Sequence, residues 1–424
     1  MNKYQLSIRL YGEPVGILEQ MPTGKKAFTY DKKAFMAISA SMPIREEPYN
    51  EQSCEAYFGG LLPESDTARQ LIGKRYGVSP YNSFALLRAI GYDCAGAISC
   101  HEIDDPIISQ RSVPLTGKII TDNELYEHIR ELPKQPLFMD VEGLRLSLAG
   151  VQDKAAVCLI NGQIAFPKNG CPTTHILKPT SSHFEGIVEN EYFVMKIAKQ
   201  VGLAVPEVEL RRIKDITFLL IKRYDRHINN NFIERIHQED FCQALGVLTS
   251  RKYQNEGGPS FKDCFGLLNN TTQPAIDRNR LVSVIIFNYL MGNMDAHGKN
   301  FSLIHNSNSN TRLAPFYDLV CTQAYQNLTT KMAMKIGSKY AIDDILPRHW
   351  KQLSEQINYR YLTLSNLIET LGNQIKQAAF QEKNELNATG IDHPIFNRII
   401  NCIEGNIDQT LRLFDDLRKN PGST

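Results

Sequence analysis

The chain has 424 residues, 42% of them hydrophobic and 22% charged, and a formal net charge of +1. That length calls for two or three folded units rather than one core, and the near-neutral balance removes any overall electrostatic pull toward nucleic acid, leaving only a local patch or a partner to supply one. Nine cysteines stand singly with no Cys-x-x-Cys pair, which argues against a zinc site and for a reducing, cytoplasmic setting; no apolar run nears the roughly 20 residues that span a bilayer.

Taken in chain order, Tyr4–Leu10 and Val15–Leu18 alternate around a Gly12–Pro14 turn and predict a hairpin. Helices follow over Ser65–Gly77 and Ser83–Ile90, closed by Gly77 and Gly91. The polar stretch Asp104–Thr116 marks a boundary, and Thr121-x-x-Glu124 is a capping box that opens a short helix. Strands are expected at Ala155–Ile160, Gln163–Phe166 and His175–Lys178, the first two joined by a type I′ turn at Asn161-Gly162. A helix over Asn190–Val201 stops at Gly202, and strands at Glu207–Arg211 and Thr217–Arg223 complete this part. From Glu239 the pattern turns helical, with a strongly apolar helix over Asn279–Met291. A hairpin follows (Phe301–Ile304, a turn over 305–311, then Arg312–Phe316), and amphipathic helices run from Arg348 to Lys419. Three segments result: a small mixed unit over 1–110, a strand-rich unit over 111–226 and a helical unit over 227–424. A β-rich lobe before a helical one is the order of parts in a protein kinase.

The chemistry concentrates at Asn293-Met294-Asp295-Ala296-His297-Gly298-Lys299-Asn300, directly after the apolar helix. Phosphoryl transfer needs a group that accepts or orients the hydroxyl proton and an oxygen ligand for Mg²⁺, and in protein kinases these are an Asp and an Asn five positions apart. Asp295 and Asn300 have that spacing. Alone the pattern is weak, since a solvated loop produces it by chance. One hairpin later comes Pro315-Phe316-Tyr317-Asp318, and Asp318 with Asn300 would give Mg²⁺ a carboxylate and an amide oxygen; the plain reading of Asp318 is a turn-initiating residue. Upstream, Ala149-Gly150-Val151-Gln152-Asp153-Lys154 is a small-residue loop whose amides could approach phosphate, although it is not a Walker A motif. Lys178 ends a strand much as the kinase phosphate-binding lysine does. Glu191, in the expected first turn of the Asn190 helix, suits the carboxylate that holds such a lysine; there it would also sit well at the positive end of the helix. Lys222-Arg223-Tyr224 closes a strand where a kinase would carry its adenine hinge, and a plain strand end reads equally well.

Several stretches, in order, resemble the HipA family: Arg145-Leu146-Ser147-Leu148-Ala149-Gly150-Val151-Gln152-Asp153-Lys154, Pro172-Thr173-Thr174-His175-Ile176-Leu177-Lys178-Pro179, Asn190-Glu191-Tyr192, Gln238-Glu239-Asp240-Phe241-Cys242-Gln243, Lys252-Tyr253 with Gly257-Gly258-Pro259, Asp295-x-His297-x-Lys299-Asn300 and Pro315-Phe316-Tyr317-Asp318. Leu61-Leu62-Pro63-Glu64 and Gly96-Ala97 join them near the N-terminus. The resemblance implies an α+β, two-lobed, protein-kinase-like fold similar to phosphoinositide 3-kinases, with a small N-terminal subdomain. It implies an ATP- and Mg²⁺-dependent serine/threonine protein kinase, the toxin of a toxin–antitoxin pair. Its expected substrate is a translation component such as the glutamyl aminoacyl-tRNA synthetase, and growth arrest is the outcome. By position, Asp295 is the catalytic base, and Asn300 and Asp318 are the metal ligands. Ala149 to Lys154, Lys178, Lys222, Arg223, Tyr224, His297, Lys299 and Asn300 face ATP, Glu191 supports, and Ser147 is the autophosphorylation site. A HipB-like helix-turn-helix antitoxin would bind the chain and carry most of the contact with operator DNA.

The hinge departs from the family in reading Lys222-Arg223-Tyr224, where the first residue is often acidic, which leaves nucleotide selectivity open. Two other readings stand beside this one. A catalytically weak co-repressor would not need Asp295, Asn300, Asp318 and Lys178 together. A small-molecule kinase would share the Asp-x-x-x-x-Asn logic without the Ser147 loop or the N-terminal unit.

Overall fold

The computed structural model describes residues 4–107, 111–138, 147–150, 152–168, 170–181, 183–306 and 310–419. Val151, Arg145 and Leu146, named above, lie outside the described residues, as do 307–309 in the turn of the last hairpin. The chain forms two compact units. One is made of Met1–Pro179, Arg211–Ser250 and Ser302–Ala314; the other is made of Thr180–Leu210, Arg251–Phe301 and Pro315–Thr424. The expected segments 1–110 and 111–226 thus fall mainly in the first unit, which also takes two later stretches.

The first unit is built on sheets. Gln5–Leu10 pairs with Glu13–Gln20 and with Ile98–Glu102, and Lys26–Tyr30 completes a four-stranded antiparallel sheet. Alternation sends Leu6, Ile8, Leu10 and Leu18 into the core with Phe28 and Phe58, all fully buried. The helix Asp66–Tyr76 starts at Ser65, whose side chain accepts the N–H of Ala68, and stops at left-handed Gly77. The helix Asp122–Glu131 carries the Thr121–Glu124 capping box. The second sheet has six strands in the order Val208–Ile213, Ile216–Lys222, His175–Pro179, Ala155–Ile160, Gln163–Pro167, Gly117–Ile119. Asn161 (φ 49°) and Gly162 (φ 79°) are both left-handed, as a type I′ turn requires. A hairpin that the polar sequence hides, Arg226–Asn229 with Phe232–Arg235, pairs with Ser112–Pro114. The helical pattern expected from Glu239 begins two residues later. His237–Asp240 is a strand paired with Ser302–Asn306, and Asp240 caps the helix Phe241–Leu245 through a second capping box with Gln243.

The second unit is mostly helical. Pro274–Met291 is the apolar helix, and it starts five residues before the expected Asn279 because Pro274 fits the first helical position. Tyr361–Ala388 packs on Pro394–Lys419 and on Ile187–Gln200, and both C-terminal helices meet Pro274–Met291. The helix expected from Asn190 begins at Ile187 after left-handed Gly186, a start made by backbone conformation with no side-chain cap to signal it. Glu191 is therefore in the second turn, not the first, and it is buried. No helix among the described residues is long and apolar enough to cross a membrane.

Candidate active site

In the second unit, Gly292 (φ 72°) closes the apolar helix and turns the chain into the loop. The loop then bonds to itself. Asn293 Oδ1 accepts the N–H of Asp295 at 3.1 Å, the N–H of His297 donates to the Asp295 carbonyl at 2.8 Å, and the N–H of Asn300 donates to the His297 carbonyl at 2.9 Å. The five-residue spacing has a direct cause: Asn300 Nδ2 donates to the Asp295 carbonyl at 2.9 Å. With the amide nitrogen used there, the Asn300 oxygen is the atom of that side chain that could serve as a metal ligand. The Asp295 side chain accepts the Tyr253 hydroxyl on Oδ1 at 2.5 Å, and the Tyr253 ring meets His297 edge-on at 5.1 Å. His297 and Lys299 are buried within this loop.

Asp318 is held to the same structure. Phe316 is buried and its N–H donates to the Ala204 carbonyl at 2.8 Å, while the Tyr317 hydroxyl donates to the Lys299 carbonyl at 2.7 Å. Asp318 itself is left-handed, φ 53°, a conformation that Asp and Asn tolerate better than other side chains. Beyond it, Thr322 Oγ1 accepts the Met294 N–H at 2.8 Å and donates to the Gly292 carbonyl at 3.1 Å. Asn190 bridges to Cys321 through both amide atoms, at 2.9 and 2.8 Å. A carboxylate at 318 and an amide oxygen at 300 are hard donors of the kind Mg²⁺ takes, with phosphate and water supplying the rest.

In the first unit, Lys178 is 4% exposed on the third strand of the six-stranded sheet, opposite Leu219. Ser147 is fully buried; its hydroxyl donates to the Leu61 carbonyl at 2.7 Å and its N–H to the Asp93 carbonyl at 2.9 Å. Three residues on, the Gly150 carbonyl accepts the Glu64 N–H at 3.1 Å and Pro63 forms a parallel bridge with Gly150. The segment Leu61–Glu64 thus clasps the Ser147–Gly150 loop at both ends. Lys154 folds back to donate to the Ala149 carbonyl at 2.6 Å. Gln152 and Asp153 continue this loop.

Residues 146–379 match the HipA-like C-terminal domain and residues 6–101 match the HipA N-terminal domain. The chain belongs to the HipA family. It is 39% identical over 407 residues to the putative kinase Y4mE of Sinorhizobium fredii, covering 93% of this chain and 95% of that one. It is 31% identical over 355 residues to the serine/threonine-protein kinase toxin HipA of Shewanella oneidensis, covering 80% and 79%. Its fold is similar to that of HipA in the solved Shewanella oneidensis complex of HipA, HipB and operator DNA, with a TM-score of 0.83, 25% identity, and 98% and 99% of the two chains covered. The expected mixed α and β, kinase-type fold is therefore the one present.

Within this HipA-family fold, the residue that follows the strand Ile216–Lys222 is bound up in the interior. Arg223 is buried and turned inward. Its N–H donates to the Thr174 carbonyl at 2.9 Å, and its guanidinium donates to both oxygens of Asp225 at 2.9 and 2.7 Å and to Thr173 Oγ1 at 2.9 Å. Its side chain is committed to these partners, whereas the contact expected at the purine edge is through backbone groups of Lys222 and Tyr224, which does not depend on it. Arg223 belongs to a buried ion cluster in which Arg226 reaches Asp93 and Asp225, each at 2.9 Å, and Arg235 reaches Asp93 at 3.1 Å. The guanidinium groups around Asp93 overcome its burial and hold its carboxyl well below the usual range; burial brings Arg226 down to about 10. Sequence reasoning passed over Asp93, Arg226 and Arg235 because Asp93 lies more than 130 positions before the two arginines. It also assigned no role to Tyr253, Tyr317 or Thr322, although Tyr253 and Tyr317 each lie in one of the family stretches.

Proposed function

We propose that the chain is an ATP- and Mg²⁺-dependent serine/threonine protein kinase that acts as the toxin of a toxin–antitoxin pair. The observation that carries this reading is the loop 293–300, in which the Asn300 side-chain amide donates to the Asp295 carbonyl and fixes the two residues against each other. Asp295 is the group that takes the proton from a protein hydroxyl as that oxygen accepts the γ-phosphoryl group and ADP leaves. Asn300 and Asp318 would hold Mg²⁺, which supplies charge neutralisation at the phosphate oxygens. Lys178 and the loop 149–154 are assigned to the phosphates, with Glu191 in support, and Lys222 and Tyr224 to the base of the nucleotide.

The substrate class is a translation component, an aminoacyl-tRNA synthetase such as the glutamyl enzyme, whose loss would arrest growth. Phosphorylation of Ser147 would silence the kinase: about −1.5 to −2 charges cannot share the loop with bound ATP. A HipB-like antitoxin is the proposed partner, with operator DNA bound mainly through it, a reading supported by the make-up of the Shewanella complex.

Asp295→Asn tests the central claim. It should keep ATP binding and lose on the order of 10²–10⁴ in phosphoryl transfer, the usual cost of removing a positioned proton acceptor. Transfer at the wild-type rate would refute it. Phosphoproteomics after induced expression would name the substrate, and phosphoserine at Ser147 should disappear in the Asp295→Asn protein.

A further inference from the structure

We propose that Tyr253 is the positioning residue for the catalytic carboxylate, a role that rests on Asp295 acting as the base. Its hydroxyl donates to Asp295 Oδ1 at 2.5 Å, the range of a charge-assisted bond to an ionised acceptor. A carboxylate on a short side chain can rotate about its last bond. A donor fixed on Oδ1 stops that rotation and leaves Oδ2 for the hydroxyl of the protein to be phosphorylated.

The mount of Tyr253 is rigid for reasons visible in the chain. Its carbonyl accepts two N–H groups, from Glu256 at 3.0 Å and Gly258 at 2.9 Å, which folds Arg251–Gly258 back on itself. A Cβ at 258 would lie 2.2 Å from the Arg251 carbonyl oxygen and 2.7 Å from that of Tyr253, so only glycine permits the closure. The Lys252 carbonyl accepts the Gly298 N–H at 3.3 Å, tying this loop to the turn that carries Asn300. Gln254 Oε1 accepts the Lys335 N–H at 2.7 Å and pins the loop to the strand Lys331–Ile336. The stretch Lys252-Tyr253 with Gly257-Gly258 thereby acquires a purpose, which is to deliver one phenol to one oxygen.

In the reaction the acceptor's proton passes to Oδ2, its oxygen bonds to the γ-phosphorus and the bond to ADP breaks. Tyr253 keeps its own proton throughout. Its loss should therefore lower the rate of the chemical step and leave nucleotide binding alone.

Tyr253→Phe removes the hydroxyl and retains the ring against His297. Transfer from labelled ATP to myelin basic protein, and to the chain itself, should fall about 10- to 100-fold in kcat, the scale of a misplaced reacting group. The KM for ATP and the thermal midpoint should not move. The double variant Tyr253→Phe with Asp295→Asn should be no slower than Asp295→Asn alone, because the hydroxyl acts only through that carboxylate. A wild-type kcat in Tyr253→Phe, a loss matched by a lower melting temperature, or a further loss in the double variant would each overturn the proposal. Asp295→Asn with wild-type turnover, or a wild-type chain that transfers phosphate to neither acceptor, removes the kinase reading first and this one with it. An inactive Asp295→Asn beside an unimpaired Tyr253→Phe removes only this one.

Discussion

Consider Asp93→Asn, a change that keeps the shape of the side chain and removes one charge. Asp93 accepts from Arg226 at 2.9 Å, Arg235 at 3.1 Å, the Thr173 N–H at 3.0 Å and the Thr173 hydroxyl at 2.7 Å. In the native cluster three guanidinium groups face two carboxylates, Asp93 and Asp225. The substitution leaves three against one, in a place where Arg223 and Arg226 are 4% exposed and water cannot replace the lost partner. Removing one member of a buried ion pair costs about 3–5 kcal/mol. With a urea slope of about 3 kcal/mol per molar, the midpoint should drop by about 1–1.7 M. Trp350, the only tryptophan, is in the other unit, so far-UV circular dichroism should follow the change. Glu127→Gln is the control: its pair with Arg130 has both side chains more than half exposed, and such pairs contribute at most about 1 kcal/mol. A midpoint for Asp93→Asn no lower than that of the control would show that the cluster does not hold the first unit together.

Four further outcomes follow. Asp318→Asn suits the left-handed backbone at φ 53° and should abolish Mg²⁺-dependent ATP binding, read by calorimetry with and without the metal, while leaving the melting temperature near wild type; Asp318→Ala should add about 1 kcal/mol of backbone strain. Ser147→Ala leaves the buried Leu61 carbonyl without its donor and should cost about 1–3 kcal/mol in urea unfolding. Burial lowers His101 and His237 to about 4, so each stays neutral in the fold while the unfolded chain takes a proton below about 6.5. Stability should therefore be fully present above pH 6.5 and fall by up to about 1.4 kcal/mol per pH unit per histidine between 6.5 and 4, and a urea midpoint that is flat between pH 7.5 and 5 would contradict this. Gly150→Ala places a Cβ 2.3 Å from Lys154 Nζ at φ 108° and should loosen the loop, measured as faster proteolysis near residue 150 and weaker ATP binding.

Where local chemistry specifies an element, the sequence shows it. Thr121 with Glu124, Ser65 with Gly77, and Asn161-Gly162 each encode a start, a stop or a turn within a few residues, and each is present as read. The pairing of Asp295 with Asn300 was legible for the same reason, since one hydrogen bond sets the spacing. What could not be read is either unsignalled or non-local. Gly186 starts a helix without a capping side chain, so Glu191 falls a turn deeper than expected. The hairpin Arg226–Arg235 leaves Ile228 and Phe232 exposed, which blurs its alternation. The inward turn of Arg223 is held by Asp225, two positions on, and also by Thr173 and Asp93, which lie 50 and 130 positions earlier. Tyr253 reaches Asp295 across 42 positions.

The clasp on Ser147 has a kinetic meaning. A serine with no exposed surface, bonded through both its hydroxyl and its N–H, cannot meet a phosphoryl donor until the loop lets go of Leu61 and Asp93. Any modification there proceeds at the rate of chemistry multiplied by the fraction of molecules that are open. If opening requires about 3 kcal/mol, that fraction is roughly one in 150, since each 1.4 kcal/mol is a factor of ten. The segment Leu61–Glu64 would then work as a clock spring: were Ser147 phosphorylated, its grip would set how long a newly made molecule remains unmodified, and because Pro63 and Glu64 also hold Gly150, changes there would shift that interval and the Gly150 loop together.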